Sequence, residues 1–370
     1  MKHEADGIGL GLIGAGGFGL FCFEQYQTMP QIRLVAVADI NTEAAKYAAE
    51  RLGIESCTSG EELVSRNDID LVHIATPPST HATLATLAIQ AGKHVLCEKP
   101  LATNLDDAKK MIEMAKSKNL TLSVNLIMRY DPLNRMVKEI IDQELLGQPL
   151  HGFFENYAQD EGLGPNHWFW NPDISGGIFI EHGVHFFDLF EWWLGEGQVE
   201  SAQMSRRPNG GMADQVNCTV RYGDEVLVNF YHGFTQANQM DRQEIRLLFE
   251  KGTIRLFEWV PTSMEIDCMA DNNTIDILAA MLPNPDISVT SHYKADDRWV
   301  SSRHKSYEVD GRYLITCNVG MDKPELYNHV VKALLADQIH IIQNPNHQRR
   351  ITEHNGYESL LMAVNADHLT

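Results

Sequence analysis

A glycine-rich hexapeptide near the start of the chain has the residue types and the spacing that hold a pyrophosphate. It lies between an apolar run over Ile8 to Ile13 and a helical pattern that begins at Gly17, and it reads Gly14-Ala15-Gly16-Gly17-Phe18-Gly19. In such a loop the first glycine allows a tight turn, the second admits the phosphates to the backbone, and the third lets the helix approach the strand. The N-terminus of the helix adds backbone N–H donors. The pattern therefore predicts dinucleotide binding by Gly14, Gly16, Phe18 and Gly19.

An aspartate at the end of the second apolar run completes this pattern. Asp39 follows Gly19 by twenty residues and ends the strand predicted over Ile32 to Ala38. A carboxylate at this place accepts hydrogen bonds from the adenosine ribose and repels a 2′-phosphate. The next residues, Ile40-Asn41-Thr42, include no arginine that would bind such a phosphate. The sequence therefore predicts NAD rather than NADP, with a generic glycine turn and a helix-capping aspartate as the alternative.

Strand-like and helical segments alternate around these residues over the first third of the chain. Helices predicted over Thr42 to Leu52 and Thr80 to Ala91 are followed by Gly53 and Gly92, at the usual left-handed cap position. Strands separated by helix-length segments form βαβ units and a parallel sheet. Further strands are predicted over Ile69 to Ile74, His94 to Cys97 and Thr121 to Val124. Residues 1–125 are therefore predicted to form an α/β domain of the Rossmann type.

The pattern changes after Asn125. Antiparallel strands are predicted over Gly152 to Ala158, Gln215 to Tyr222, Glu225 to His232 and Gln243 to Phe249, and helices over Asp131 to Gln143, Gly177 to Leu194, Glu325 to Ala336 and Tyr357 to His368. Residues 126–370 are thus predicted to form an α+β domain with a large, mainly antiparallel open sheet that serves substrate binding and oligomerisation. The C-terminal helices are candidates for packing on the first domain. Residues 261–303 are weakly periodic, and we interpret them as an insertion or loop.

The composition limits the class of protein. The 370-residue chain has a formal net charge of −20, with 44% hydrophobic and 22% charged residues. This charge disfavours nucleic acid and anionic membrane surfaces as main partners. The apolar runs are too short to span a bilayer, and residues 1–6 are too polar for a secretory signal. The six scattered cysteines form no CxxC pair, so we expect free thiols and a cytoplasmic location.

Five groups of residues further along the chain form a second and more specific pattern. They are Thr76-Pro77-Pro78 with His81, the tripeptide Glu98-Lys99-Pro100, Asn125 with Arg129-Tyr130 and Pro132, Ser175-Gly176-Gly177 with Glu181, Gly183, His185 and Asp188, and Lys251-Gly252-Thr253. Together they resemble the glucose–fructose oxidoreductase, inositol dehydrogenase and rhizopine-catabolism (Gfo/Idh/MocA) family over essentially the whole chain. The resemblance implies cofactor-binding roles for Thr76, Pro77, His81, Glu98, Lys99 and Asn125. It also implies that Glu98 and Lys99 border the nicotinamide ribose, and that the chain forms dimers or tetramers.

Three side chains in this pattern suit chemistry at a hydroxyl group. Lys99 follows a strand at the carboxyl edge of the predicted sheet, where ligands bind, and an ammonium there favours an alkoxide as hydride leaves. His185 is the residue type best suited to accept the hydroxyl proton. Glu181 lies four residues before His185 on one predicted helix face and can orient the imidazole. The family usually has aspartate there, so direct contact of the longer glutamate with substrate stays open.

His182 and Trp170 are predicted to contact substrate. Glu181-His182-x-x-His185 also suggests metal ligands, but helical zinc pairs favour histidines four apart, and a third ligand would have to come from His151, His167 or His232. We therefore predict no metal. Aromatic side chains stack on sugars and also pack in cores, so both roles stay open for Trp170. For His182, a packed histidine is the alternative to substrate contact.

The sequence therefore predicts an NAD-dependent oxidoreductase that moves a hydride between nicotinamide and a hydroxyl-bearing carbon of a cyclic polyol, sugar or sugar derivative. Two alternatives stay open. Some family members retain NAD and cleave glycosides through transient oxidation, and a few resemble non-catalytic NAD-binding regulators. The expected partners are the small-molecule substrate and further copies of the chain, bound as a homodimer or homotetramer through the C-terminal sheet.

Overall fold

The structure is a computed structural model that describes residues 7–160, 162–208 and 211–370. Contacts divide the chain into two compact units. The first comprises residues 7–127, Pro165–Asp188 and Asn328–Asp367, and the second comprises Met128–Gly164, Leu189–Tyr327 and His368–Thr370. Much of the C-terminal helical region thus belongs to the first unit, as do the residues around His185. The assignment of residues 1–125 and 126–370 to cofactor and substrate domains stays a prediction.

A six-stranded parallel sheet forms the centre of the first unit. Its strands β1 to β6 are Ile8–Ile13, Ile32–Ala38, Glu55–Cys57, Leu71–Ile74, His94–Cys97 and Leu122–Val124. They lie in the order β3-β2-β1-β4-β5-β6, so the direction of winding reverses between β1 and β4. The side chains of β1 and β4 are buried throughout, as expected for central strands covered on both faces. This order confirms the predicted Rossmann architecture and predicts a ligand-binding site at the carboxyl ends of β1 and β4.

Helices connect these strands, and several of them begin or end at capping residues. Helices α1 to α5 are Gly17–Tyr26, Thr42–Leu52, Gly60–Ser65, His81–Gln90 and Leu105–Ser117. The Asn41 and Asn104 side chains accept hydrogen bonds from the first-turn N–H groups of α2 and α5. Gly53 and Gly92 have φ values of 68° and 78°, which confirms the predicted left-handed caps.

A nine-stranded sheet dominates the second unit. Strands β7 to β17 are Pro149–Ala158, Gly197–Arg206, Ala213–Tyr222, Val226–Phe234, Arg242–Phe249, Gly252–Phe257, Ser263–Ala270, Asp286–His292, Trp299–Ser302, Lys305–Glu308 and Gly311–Asn318. The order is β14-β17-β13-β12-β11-β7-β10-β9-β8, and β15 pairs with β16 in a separate hairpin. Neighbours are antiparallel except β7 and β10, which run parallel. The mainly antiparallel sheet is therefore confirmed.

The remaining helices accompany this sheet and complete the first unit. Helices α6 to α11 are Pro132–Asp142, Pro172–Ser175, Val184–Leu194, Asn272–Met281, Lys323–Gln343 and Glu353–His368. A π-helical turn over Phe179–Gly183 leads directly into α8. The second half of α8 packs on the sheet of the second unit, where the Phe190 ring lies 6.3 Å from Tyr222 and 5.0 Å from Phe230. Among the described residues, no helix combines the length and apolar composition that a bilayer crossing requires.

Several parts of the fold differ from the sequence-based expectation. Residues 261–303 are not a loop, because they contain β13, α9, β14 and β15. The short elements β3 and α3 between α2 and β4 were also not expected. Strand β14 has side chains exposed along most of its length, so it lacks the apolar alternation that reveals a strand in sequence.

Candidate active site

The glycine loop connects β1 to α1 and leaves room for a ligand. Gly14 has a φ of 106°, and a Cβ there would lie 2.3 Å from the Ala75 carbonyl oxygen, just after β4. A Cβ on Gly19 would lie 2.2 Å from the Gly14 carbonyl oxygen, whereas one on Gly16 would meet nothing within 4 Å. Gly16 is also the N-cap of α1 and offers no side-chain oxygen to the first-turn N–H groups. The space and the donors at Gly16 fit a pyrophosphate.

Asp39 follows β2 and is tied to the glycine loop. Its Oδ2 accepts from the Ala15 N–H at 2.7 Å, and its Oδ1 accepts from the Asn41 N–H at 2.7 Å. The residue that caps α2 is Asn41, so Asp39 is not the helix-capping aspartate of the alternative interpretation. Each carboxylate oxygen keeps a further lone pair, which fits acceptance from ribose hydroxyls.

His81 joins two segments that flank the carboxyl edge of the sheet. Its ring is fully buried, with Nδ1 2.7 Å from the Pro100 carbonyl oxygen and Nε2 2.8 Å from the Thr76 carbonyl oxygen. Burial lowers the pKa of His81, and the two backbone hydrogen bonds oppose that shift. Any contribution of His81 to cofactor binding therefore acts through the positions of Thr76-Pro77 and Lys99-Pro100.

Glu98 directly follows β5 and is held from two sides. Its Oε1 lies 2.8 Å from His73 Nε2 and accepts from Asn125 Nδ2 at 2.8 Å. Glu98 and Asn125, which the sequence assigned to the cofactor, thus belong to one buried hydrogen-bonded group. His73 is the member of this group that sequence reasoning missed. The available signal was one titratable residue within the otherwise apolar strand β4.

Lys99 and Glu181 form an ion pair within the first unit. Lys99 Nζ donates to Glu181 Oε1 at 2.5 Å and to the Glu181 backbone carbonyl oxygen at 3.0 Å. The two side chains are 19% and 10% exposed. Glu181 lies in the π-helical turn, whose wider winding alters the face that it shares with residues further along. In the structure the Glu181 carboxylate therefore binds Lys99, and the role of Glu181 as partner of His185 stays a prediction.

His185 lies in the first turn of α8 and is 7% exposed. Burial lowers the pKa of His185 well below its usual value, and the nearby Lys99 ammonium lowers it further. The imidazole is therefore neutral near pH 7 and able to accept a proton, which is the state that a general base needs.

The other predicted site residues have different surroundings. The His182 ring lies 5.3 Å from the Phe186 ring, and Trp170 is only 9% exposed, with its ring edge-on to Phe169 at 4.7 Å. Burial favours a packing role for Trp170, and substrate contact by either residue stays a prediction. Within residues 7–160, 162–208 and 211–370, the group with metal-ligand geometry is Cys22, His73 and Glu98, and it includes neither His182 nor His185.

Two family models match the chain. The one described as "Oxidoreductase family, NAD-binding Rossmann fold" matches residues 8–126, and the one described as "GFO/IDH/MocA C-terminal domain" matches residues 134–255. These matches cover the six-stranded sheet and the first part of the nine-stranded sheet.

Two of the relatives that resemble the chain are named dehydrogenases. The levoglucosan dehydrogenase of Pseudarthrobacter phenanthrenivorans is 34% identical over 236 residues, which is 59% of this chain and 60% of that protein. The inositol 2-dehydrogenase of Rubrobacter xylanophilus is 34% identical over 203 residues, which is 53% of this chain and 55% of that protein. The chain thus matches 55–60% of the length of these relatives. A solved structure of levoglucosan dehydrogenase in complex with NADH and levoglucosan has the same fold, with a TM-score of 0.78, 21% identity, and coverage of 98% of this chain and 97% of that one.

Proposed function

The chain belongs to the Gfo/Idh/MocA family of oxidoreductases, and we propose that it is an NAD-dependent dehydrogenase of a cyclic polyol, a sugar or a sugar derivative. The observation that carries this proposal is the Lys99–Glu181 ion pair, whose ammonium also lowers the pKa of the buried His185. Oxidation of a hydroxyl-bearing carbon needs a base for the hydroxyl proton and a positive charge for the developing alkoxide. These residues supply both.

The carboxyl edge of the six-stranded sheet supplies the groups that would hold NAD. The glycine loop and the first turn of α1 would take the pyrophosphate, and Asp39 would accept from the adenosine ribose. Glu98 and Asn125 would border the nicotinamide ribose, beside Thr76 and Pro77. When bound, NAD accepts the hydride from the substrate carbon.

Lys99 would hold the substrate hydroxyl through the one N–H that Glu181 does not use. An ammonium has three N–H donors, and two of them go to the Glu181 carboxylate and backbone carbonyl. The third is left for the substrate oxygen. His185 would then accept the hydroxyl proton on a ring nitrogen, and Glu181 would keep the ammonium charged and oriented.

The substrate class rests on the relatives. One acts on levoglucosan and another on inositol, and both compounds carry hydroxyl groups on a ring. We therefore propose that the substrate of this chain is a ring-shaped polyol or sugar derivative.

A substrate panel tests the proposal. Purified protein is incubated with inositols, aldoses, anhydrosugars and glycosides and with NAD⁺ or NADP⁺, while NADH absorbance and products are followed. We expect NADH and a ketone product from at least one polyol or sugar. Release of an aglycone without net NADH would instead support the glycoside-cleaving alternative, and NAD binding without turnover of any compound would support the regulator.

The His185→Ala variant tests the assignment of the base. Turnover should fall by about 100-fold or more, because general-base catalysis is lost. The affinity for NAD⁺, measured by calorimetry, should stay within about threefold of wild type, because the side chain would act on the substrate proton. Wild-type turnover in this variant would overturn the assignment.

We also propose that the chain assembles into dimers or tetramers through the nine-stranded sheet. Side chains of β7 alternate between buried and half-buried, so one face of this strand is covered and the other is not. Arginines lie over aromatic rings on the uncovered face, with Arg246 4.5 Å from the Phe153 ring and Arg242 4.8 Å from the Tyr157 ring. A monomeric mass in size-exclusion chromatography with light scattering would contradict this proposal. The cytoplasmic location also stays a prediction.

A further inference from the structure

A buried polar group lies beneath the carboxyl end of β5 and includes a histidine that the proposed function does not use. His73 on β4 pairs with Leu96 on β5, and Glu98 follows Leu96 by two residues, so His73 and Glu98 lie diagonally opposite each other on the same face of the sheet. The Glu98 N–H donates to the Ile74 carbonyl, which continues the pairing of the two strands. His73 is fully buried and Glu98 is 7% exposed. The Phe23 and Tyr26 rings of α1 lie 6.4 Å and 5.9 Å from the His73 ring. A histidine in such apolar surroundings needs a polar partner, and Glu98 is that partner.

The hydrogen bonds define the state of both side chains. Glu98 Oε1 accepts from Asn125 Nδ2 and lies 2.8 Å from His73 Nε2, so His73 carries its proton on Nε2 and donates to the same oxygen. Within the part of the chain that the structure describes, His73 Nδ1 is buried without a hydrogen-bond partner. A proton on Nδ1 would have no acceptor there, so the hydrogen bond of the ring is made through Nε2. Both donors act on Oε1, and no donor among the described residues reaches Oε2, which is left for a ligand.

We propose that His73 is a positioning residue that orients the Glu98 carboxylate toward the nicotinamide half of NAD and thereby favours the oxidised cofactor. The inference rests on the proposed function. Glu98 lies at the carboxyl edge of the sheet, next to Lys99, where a cofactor binds. A carboxylate there attracts the cationic ring of NAD⁺ more than the neutral ring of NADH. His73 and Asn125 hold that charge in one orientation, so Oε2 reaches the ligand without reorganisation.

Two of these side chains, His73 and Glu98, also form a group with metal-ligand geometry together with Cys22, and the raised pKa of the Cys22 thiol argues against a metal there. The Cys22 thiol on α1 lies with His73 and Glu98 so that their ligand atoms are all within 4.8 Å of one another. The hydrogen bond between His73 Nε2 and Glu98 Oε1 occupies one possible ligand atom of each residue and leaves His73 Nδ1 and Glu98 Oε2. Burial raises the pKa of the Cys22 thiol, which disfavours the thiolate that metals bind.

Three variants test the inference: His73→Leu, His73→Gln and Cys22→Ala. Leucine removes the donor and replaces the imidazole ring with an apolar side chain of similar volume. Glutamine keeps an N–H donor near the position of Nε2, and Cys22→Ala is the matched control from the same cluster. The readouts are Kd for NAD⁺ and NADH by calorimetry, thermal unfolding of the cofactor-free protein, and bound metal by elemental analysis. All of them are independent of turnover.

In His73→Leu, Kd for NAD⁺ should rise by about 10- to 100-fold, the effect of losing a hydrogen bond to a charged group. Kd for NADH should rise less. His73→Gln should restore NAD⁺ affinity to within about threefold of wild type, and Cys22→Ala should bind both cofactors as wild type does.

Three results would overturn the inference. They are wild-type NAD⁺ affinity in His73→Leu, equal losses of NAD⁺ affinity in the leucine and glutamine variants, and stoichiometric metal that Cys22→Ala loses. The proposed function fails separately, because wild-type protein that binds NAD⁺ but oxidises no polyol or sugar would overturn it while the binding comparison still decides the role of His73.

Discussion

Replacing Glu181 tests whether its carboxylate holds the Lys99 ammonium in place. The two side chains are 10% and 19% exposed, and Lys99 Nζ lies 2.5 Å from Oε1. A hydrogen bond between charged groups is worth about 1.5–3 kcal/mol when little exposed, whereas exposed ion pairs are worth about 0–1 kcal/mol. The bond from Lys99 to the Glu181 backbone carbonyl does not depend on the side chain. We therefore expect a coupling of about 2 kcal/mol between the two side chains in the free energy of unfolding.

A double-mutant cycle measures this coupling. Glu181→Gln keeps the size of the side chain and one acceptor oxygen, and Lys99→Met keeps the apolar stem. Urea unfolding of the wild type, both single variants and the double variant gives the interaction energy directly. A control cycle on Glu43 and Lys46, whose side chains are 78% and 60% exposed, should show no measurable coupling. Additivity within about 0.5 kcal/mol for Glu181 and Lys99 would refute the reasoning, because a functional ion pair there has to couple.

Three further predictions concern His185, Asp39 and His232. Lys99→Met should raise the pKa of His185, because the ammonium lowers it in the wild type; an imidazole NMR titration with an unchanged midpoint would disprove the electrostatic link. Asp39→Asn should weaken NAD⁺ binding by about tenfold, because the charged acceptor for the ribose hydroxyls is lost. The preference for NAD⁺ over NADP⁺ should also decrease, because the charge that repels a 2′-phosphate is lost, and calorimetry that shows an unchanged preference would contradict this. Burial lowers the pKa of His232 to about 3, so between pH 6.5 and that value the unfolded chain binds a proton that the folded chain does not. As the pH decreases below 6.5, the free energy of unfolding should therefore fall faster in the wild type than in His232→Leu, with a difference in slope of about 1.4 kcal/mol per pH unit. Urea unfolding at a series of pH values measures both slopes, and equal slopes would contradict the prediction.

Most strands and helices of the first unit, apart from β3 and α3, were predictable because their residues show clear periodicity and end signals. Ile8–Ile13, Ile32–Ala38 and His94–Cys97 have the bounds expected from the apolar runs, since each is an interior strand whose carboxyl half is buried. Gly53 marks the end of α2 in sequence and in structure. Local signals are sufficient where one short segment carries both the hydrophobic pattern and its end signals.

The arrangement around Glu181 was not predictable from spacing. A separation of four residues places Glu181 and His185 on one face of an α-helix, but Phe179–Gly183 is π-helical. The Glu181 carboxylate contacts Lys99, which lies 82 positions away in the sequence. Similarly, the contact between His73 and Glu98 depends on the register of two parallel strands, which the sequence of either strand alone does not specify.

The π-helical turn bears on how this helix tolerates sequence change. A π turn holds one residue more than an α-helical turn, so residues before it are rotated by about 100° from where an uninterrupted α-helix would place them. Downstream of the turn, Phe190 keeps its ring contacts with Tyr222 and Phe230, and the Trp193 indole N–H donates to the Asn134 carbonyl at 3.0 Å. Inserting or deleting one residue in Phe179–Gly183 would therefore re-aim Glu181 while the downstream aromatic anchor stays in register. A change of length in this turn, by natural variation or by engineering, can thus alter the direction of the Glu181 side chain while the packing of the downstream aromatic residues is kept.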